Sequence, residues 1–178
     1  WISVHLGLHA LGIFQWGTEE QRDRWLPPLA RGERLGLFAL TDAGAGSDPA
    51  RLASTARRDG DVYLVNGVKR WISLAGEADQ MLWFARTAEG EPAHEHLSAF
   101  IIDVDTPGIT VQAIEDKVGL RAMATGTICC EDVSVSVRDR LGDEGEGFKI
   151  AMACLDNGRY TVGAGAAGGS EADGAATA

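Results

Sequence analysis

The sequence is short of cysteine, proline and positive charge, and it has no long apolar run. Its three cysteines form no disulfide framework: Cys129 and Cys130 are adjacent, Cys154 stands alone, and no C-x-x-C pair occurs. A reducing, cytoplasmic compartment is expected from that usage. No stretch approaches the ~20 apolar residues of a membrane-spanning helix. Acidic side chains outnumber basic ones 26 to 16, for a formal net charge of −10. Such a surface repels phosphate backbones and disfavours a nucleic-acid binder. The chain opens on Trp1 with no basic segment leading into an apolar one, so no signal peptide is expected. Both ends read as cut, and a piece of a longer protein is expected. What is present is an ordinary globular balance: 178 residues, 45% hydrophobic and 24% charged. That is enough for a sizeable core in one domain, or in two small ones.

Three regimes follow one another along the chain. Residues 1–33 read as helical, with Leu6, Leu8, Leu11 and Ile13 or Phe14 near helical spacing and Gly17 as a stop. Thr18-Glu19-Glu20-Gln21 is a capping box, and Pro27-Pro28 ends that short helix or opens another turn. From residue 34 to about 140 the pattern is short strands, predicted over 34–40, 53–57, 62–65, 68–72, 81–85, 98–103, 109–113 and 127–137. Asn66-Gly67 predicts a type I′ hairpin between two of them, and Asp59-Gly60 punctuates the preceding pair. Evenly spaced strands with such turns suggest a compact antiparallel barrel or sandwich. Residues 88–97 read as a loop. Beyond a Gly- and acid-rich loop, Phe148, Ile150, Ala151, Cys154 and Leu155 form the apolar stripe of another helix, which Arg159 continues. The class is therefore α+β.

Several candidate sites are weak singly. Gly163 to Gly168 satisfies G-x-G-x-x-G, but it follows a predicted helix rather than a strand, so small residues at a helix–helix contact are the preferred explanation. His5 and His9, one helical turn apart, lack a further ligand and read as neutral residues on a half-buried helix. His94 and His96 flank Glu95 in a solvated loop. Cys129 and Cys130 point to opposite faces of a strand, so at most one is in the core, and with no local cation both read as inert. Gly44-Ala45-Gly46-Ser47-Asp48 follows an apolar strand. Its glycines permit a close approach of main chain to ligand, and its N–H groups suit an anion nest, although a plain turn explains it as well. Trp71-Ile72-Ser73 offers a flat ring and a hydroxyl two residues on. A core Trp beside a surface Ser is the simpler alternative.

Taken in order, the motifs resemble the acyl-CoA dehydrogenase family. They are Phe14-Gln15-Trp16-Gly17-Thr18-Glu19-Glu20-Gln21, Trp25-Leu26-Pro27, Phe38-Ala39-Leu40-Thr41-Asp42-Ala43-Gly44-Ala45-Gly46-Ser47-Asp48, Asn66-Gly67-Val68-Lys69-Arg70-Trp71-Ile72-Ser73, Asp105-Thr106-Pro107-Gly108, Glu131-Asp132-Val133, Gly145-Glu146-Gly147-Phe148 and Leu155-Asp156-Asn157-Gly158-Arg159. The likeness spans Trp1 to Gly168. It implies the end of an N-terminal helical domain over 1–33, a complete central β-barrel domain over 34–140 and the start of a C-terminal helical bundle over 141–178. It also implies FAD between the last two, with Phe38, Ala39, Leu40, Thr41, Gly46 and Ser47 along the flavin and its pyrophosphate. Trp71 and Ile72 would lie at the isoalloxazine, with Ser73, often Thr in the family, bonding near N5. Ser47 and the stretch Asp156, Asn157, Gly158 and Arg159 would contact the acyl-CoA substrate.

The chemistry so implied is α,β-dehydrogenation of an acyl-CoA thioester to 2-enoyl-CoA. A carboxylate takes the α-proton, the β-hydrogen leaves as hydride to the flavin, and an electron-transfer flavoprotein receives the electrons. A homo-oligomeric parent, a tetramer, is implied as well. No residue of this chain matches the base: the family's variant position is Gly158 here, and the commoner one falls beyond residue 178. The chain alone is expected not to turn over. Asp42-Ala43 stands for the usual Glu-Pro, an exchange expected to loosen the flavin loop. Met123-Ala124 replaces polar residues before Thr125, and residues 169–178 lose the apolar face of the family's helix. A truncation, a frame change or an appended tail each produces that. An acyl-CoA oxidase or other flavin enzyme of the same fold, or a non-catalytic flavin- or CoA-binding remnant, are the alternatives.

Overall fold

A computed structural model describes residues 2–176 of the chain. The first helical stretch is continuous but not uniform: α1 (Ile2–Val4) passes through a π-helical segment (His5–Ala10) into α2 (Leu11–Trp16). Helix α3 (Glu19–Ala30) starts at the expected box, Thr18 Oγ1 accepting from the Gln21 amide while Gln21 Oε1 accepts from the Thr18 amide. Pro27 and Pro28 do not end that helix; both lie inside its last turn.

Eight strands follow: β1 (Gly36–Ala39), β2 (Thr55–Asp59), β3 (Val62–Ser73), β4 (Gln80–Arg86), β5 (Leu97–Asp103), β6 (Ile109–Ala113), β7 (Thr125–Ser136) and β8 (Arg140–Leu141). They form one sheet in the order β6-β7-β3-β2-β4-β5-β8, with β1 added in parallel alongside β4. The expected barrel is not formed. The sheet is open, with β6 and β8 as its ends, and it is mixed rather than antiparallel because β1 and one bridge of β2 run parallel to β4. It curls instead around a core shared by Tyr63 and Val65 of β3, Trp83 of β4, Phe100 of β5 and Ile128 of β7.

The expected hairpin at Asn66-Gly67 is also corrected. β3 runs straight through those residues, and the tight turn is Gly60-Asp61, between the paired Asp59 and Val62. At Gly67 the β3–β7 register shifts, a bulge with φ +152°. A Cβ there would sit 2.2 Å from Ser54 Oγ, so this glycine serves a close approach of two segments.

Strand β4 is buried on both faces, which explains its unbroken apolar run. Met81, Trp83 and Ala85 face the curled core. Leu82 and Phe84 face a second core shared with Ile13, Trp25 and Leu29 of the helices. Ile150, Ala151 and Cys154 of α4 (Gly147–Ala176) complete that second core, as the apolar stripe predicts. Beyond Gly158, residues 159–172 of α4 are exposed. The Gly-rich stretch therefore stays helical while exposed, with Thr161 just before it bonded to the Ser3 hydroxyl of α1 at 2.8 Å. Thr177 and Ala178, the end of the anomalous tail, lie outside the described residues, as does Trp1.

Candidate functional site

The two sequence segments singled out as a flavin site lie side by side. β1 ends at Ala39, and the chain continues through Leu40 and Thr41 along the part of β3 that β2 does not cover. The Arg70 amide donates to the Thr41 carbonyl at 2.9 Å, and Asp42 forms a β-bridge with Lys69. Thr41 is thereby fixed next to the step that carries Trp71.

Trp71 adopts φ +63°, a left-handed conformation uncommon for a bulky residue, at the place where the β3–β7 register shifts between Lys69 and Ile72. Its indole is 60% exposed, and the Arg70 guanidinium lies 5.1 Å from the ring centroid. The alternative of a core Trp is thus excluded. Ile72 is buried, and Ser73 is half-buried opposite Thr125. Of the other segment, Phe38, Ala39 and Leu40 are core residues, Phe38 packing its ring 4.9 Å from that of Phe84. Thr41 is half-buried and Ser47 is exposed. Gly44 and Gly46 face open space, where a Cβ would meet nothing within 4 Å. Neither glycine has positive φ. The loop therefore offers room beside its main chain rather than an alternating left-handed nest.

Asp42 is held on several sides. Asp42 Oδ2 accepts from the Ala53 and Ser54 amides at 2.5 and 2.8 Å, and Oδ1 accepts from the Ser54 hydroxyl at 2.8 Å and from Lys69 Nζ at 2.5 Å. Burial opposes its ionisation, but the Lys69 ammonium and the hydrogen bonds from Lys69 and Ser54 outweigh it, leaving the pKa below the usual carboxylate value. Burial pulls the Lys69 ammonium down to about 8 against the pull of Asp42. No separate sequence signal marks this pair, because a lysine inside a strand reads as solvent-facing. Lys69 is also the cation that sequence reasoning denied to Cys130. Burial nevertheless dominates and pushes that thiol up to about 12. Cys154 is pushed to about 12 by burial too, so the inert reading of Cys130 holds.

The stretch Asp156, Asn157, Gly158 and Arg159 lies on α4, on the helical side. Asp156 and Arg159 pair at 2.7 Å, both exposed, and Asn157 bonds the Ala153 carbonyl. Gly158 is buried, its α-carbon facing a Leu8 methyl 2.7 Å from where a Cβ would be. These four residues make no hydrogen bond to Thr41, Ser47, Trp71 or Ser73 among the described residues. His5 and His9 are core residues, with Gly36 donating its amide to His5 Nδ1 at 3.0 Å. Among the described residues no cluster of ligands could hold a metal ion, and no helix is long and apolar enough to cross a membrane.

Comparisons with known proteins match this layout. The family model for the acyl-CoA dehydrogenase middle domain covers residues 37–133, and that for the N-terminal domain covers residues 1–33. The mitochondrial short-chain specific acyl-CoA dehydrogenase of Bos taurus is 40% identical over 171 residues, 96% of this chain and 41% of that protein. The structure of butyryl-CoA dehydrogenase from Megasphaera elsdenii superposes with a TM-score of 0.85 at 39% identity, over 89% of this chain and 41% of that one. A glutaryl-CoA dehydrogenase from Mycobacterium smegmatis in complex with FADH2 gives 0.82 at 35% identity, over 89% and 39%. The chain thus spans about 41% of the bovine relative's length. With matched models over both its helical start and its sheet, the chain belongs to the acyl-CoA dehydrogenase family.

Proposed function

We propose that this chain is the flavin-binding part of an FAD-dependent acyl-CoA dehydrogenase that converts acyl-CoA thioesters to 2-enoyl-CoA. The observation that carries the reading is the pairing of Thr41 with the Arg70–Trp71 step, on a chain whose relatives are short-chain enzymes. FAD fits what the site offers. Trp71 holds out a flat aromatic face, Thr41 is tied by its carbonyl to the neighbouring Arg70, Ser73 follows on the same strand, and the Gly44–Gly46 loop leaves room along its main chain. When bound, FAD supplies the acceptor for a hydride.

The chain's own residues position and shield. Thr41 and Ser73 would orient the flavin, and Trp71 would pack on it and keep water away. Gly46 and Ser47 would hold the pyrophosphate. Phe38, Ala39, Leu40 and Ile72 take part through main chain, since their side chains belong to the core. Ser47 and the 156–159 stretch contact the acyl-CoA. Removal of the α-proton requires hydrogen bonds on the thioester oxygen and a nearby carboxylate. Gly158 has no group to serve as that base, so we place it beyond residue 178. An electron-transfer flavoprotein as acceptor, a homotetramer and a cytoplasmic setting complete the proposal; the three free cysteines fit a reducing compartment.

Anaerobic titration of the protein encoded by the extended reading frame with butyryl-CoA tests it. Loss of the flavin absorption band is expected. A band that survives acyl-CoA of every chain length refutes the reading. Peroxide formed under air marks an oxidase instead, and FAD binding without bleaching marks a non-catalytic remnant.

A further inference from the structure

Lys69 sits in the middle of β3 with none of its surface exposed, and the flavin reading assigns it no role. Its Nζ donates to the Leu40 carbonyl at 3.0 Å and to Asp42 at 2.5 Å, beneath the Trp83 ring at 5.0 Å. Asp42 in turn holds Ser54 through both amide and hydroxyl. Ser54 reaches it only because Gly67, at the β3 bulge, has no side chain. One polar cluster thus joins the segment after β1, the approach to β2 and the middle of β3, inside an apolar core.

Stability alone is a poor reason for such a cluster. A buried ion pair is often no better than apolar groups of the same volume, because desolvation consumes most of the attraction. What the pair fixes is geometry. The Leu40 carbonyl and the Asp42 carboxylate flank Thr41 on either side, and Lys69 grips both. Lys69 is itself two residues from Trp71, on the strand whose Arg70 amide holds the Thr41 carbonyl. Leu40, Thr41 and Asp42 are therefore tied to β3 at three consecutive residues, which sets Thr41 against Trp71.

We propose that Lys69, with Asp42 and Ser54, is a positioning cluster that sets the spacing between Thr41 and Trp71 and thereby the seating of the flavin ring. The inference rests on the flavin reading above. None of the three touches a reacting atom. Their effect passes through the residues they hold.

The test uses the full-length holoenzyme and the variants Lys69→Met and Ser54→Ala. Lys69→Met keeps the length of the side chain and removes its charge. It is expected to weaken FAD binding at least tenfold, to shift the visible flavin band, and to lower kcat at saturating FAD more than it changes KM. Ser54→Ala leaves the ion pair and should show the same changes in milder form. A drop in Tm with FAD affinity, flavin spectrum and kcat all unchanged within twofold overturns the proposal and leaves a structural role only. Should Lys69→Met fail to fold, the Ser54→Ala variant decides by the same readouts. A wild-type enzyme that neither holds FAD nor is bleached by acyl-CoA refutes the flavin reading itself, and this inference with it.

Discussion

Acid should unlock the contact between the helices and the sheet through a single histidine. His9 is wholly buried, with Nδ1 2.9 Å from the Leu37 carbonyl and Nε2 3.1 Å from the Gln80 carboxamide. Both ring nitrogens face carbonyl oxygens, Leu37 O and Gln80 Oε1, which can only accept, so the neutral ring donates to one of them through its single N–H. Burial, the dominant cause, lowers the His9 pKa from 6.5 to about 4. The unfolded chain therefore binds this proton near pH 6.5 and the folded chain only near pH 4. The stabilising contribution is complete above 6.5 and is lost as the pH falls towards 4, because the unfolded state holds more protons in that window. From these two values the loss relative to pH 7 is about 2 kcal/mol at pH 5 and ~3 kcal/mol at pH 4. Urea unfolding at pH 7 and pH 5, for the wild type and for His9→Gln, measures it. Glutamine does not titrate, so subtracting its loss removes the carboxylates common to both proteins. Equal losses in the two proteins would refute the reasoning.

Other perturbations follow from the same packing. In Gly36→Ala the new Cβ lies 2.2 Å from the rigid His9 ring. Overpacking of that kind is expected to cost about 1–3 kcal/mol, read as a fall in Tm. Thr18→Ala removes one half of the α3 capping box and should cost ~1 kcal/mol in chemical denaturation. Alkylation under native conditions should label the half-buried Cys129 first. Cys130 and Cys154, buried and with thiols pushed up to about 12, should stay protected until unfolding, as peptide mass spectrometry would show.

The sequence announced what depends on neighbours along the chain. The Thr18–Gln21 box and the Ile150–Ala151–Cys154 stripe are local patterns, and both stand as expected. Asn66-Gly67 misled because the same dipeptide serves a hairpin and a bulge. Only the approach of Ser54, twelve residues earlier, decides between them. The parallel pairing of β1 with β4 and the burial of Lys69 are products of long-range topology, and no window of sequence contains both partners. The two flavin segments were legible as motifs, but their division of labour was not. That Ile72 points into the core while Trp71 stands out rests on a backbone irregularity between Lys69 and Ile72.

The position of β1 bears on the order in which the chain acquires its shape. β2 with β3, and β4 with β5, are antiparallel neighbours in sequence and need close only short loops. β1 must wait for β4, because its register Gly36↔Gln80 closes a loop around everything between them. The segment carrying Thr41 and Ser47 hangs from the end of β1, so it is drawn taut only once β4 is in place. A ligand that binds only the closed arrangement therefore rewards completion of the whole sheet, and its supply during synthesis should raise the yield of folded chain.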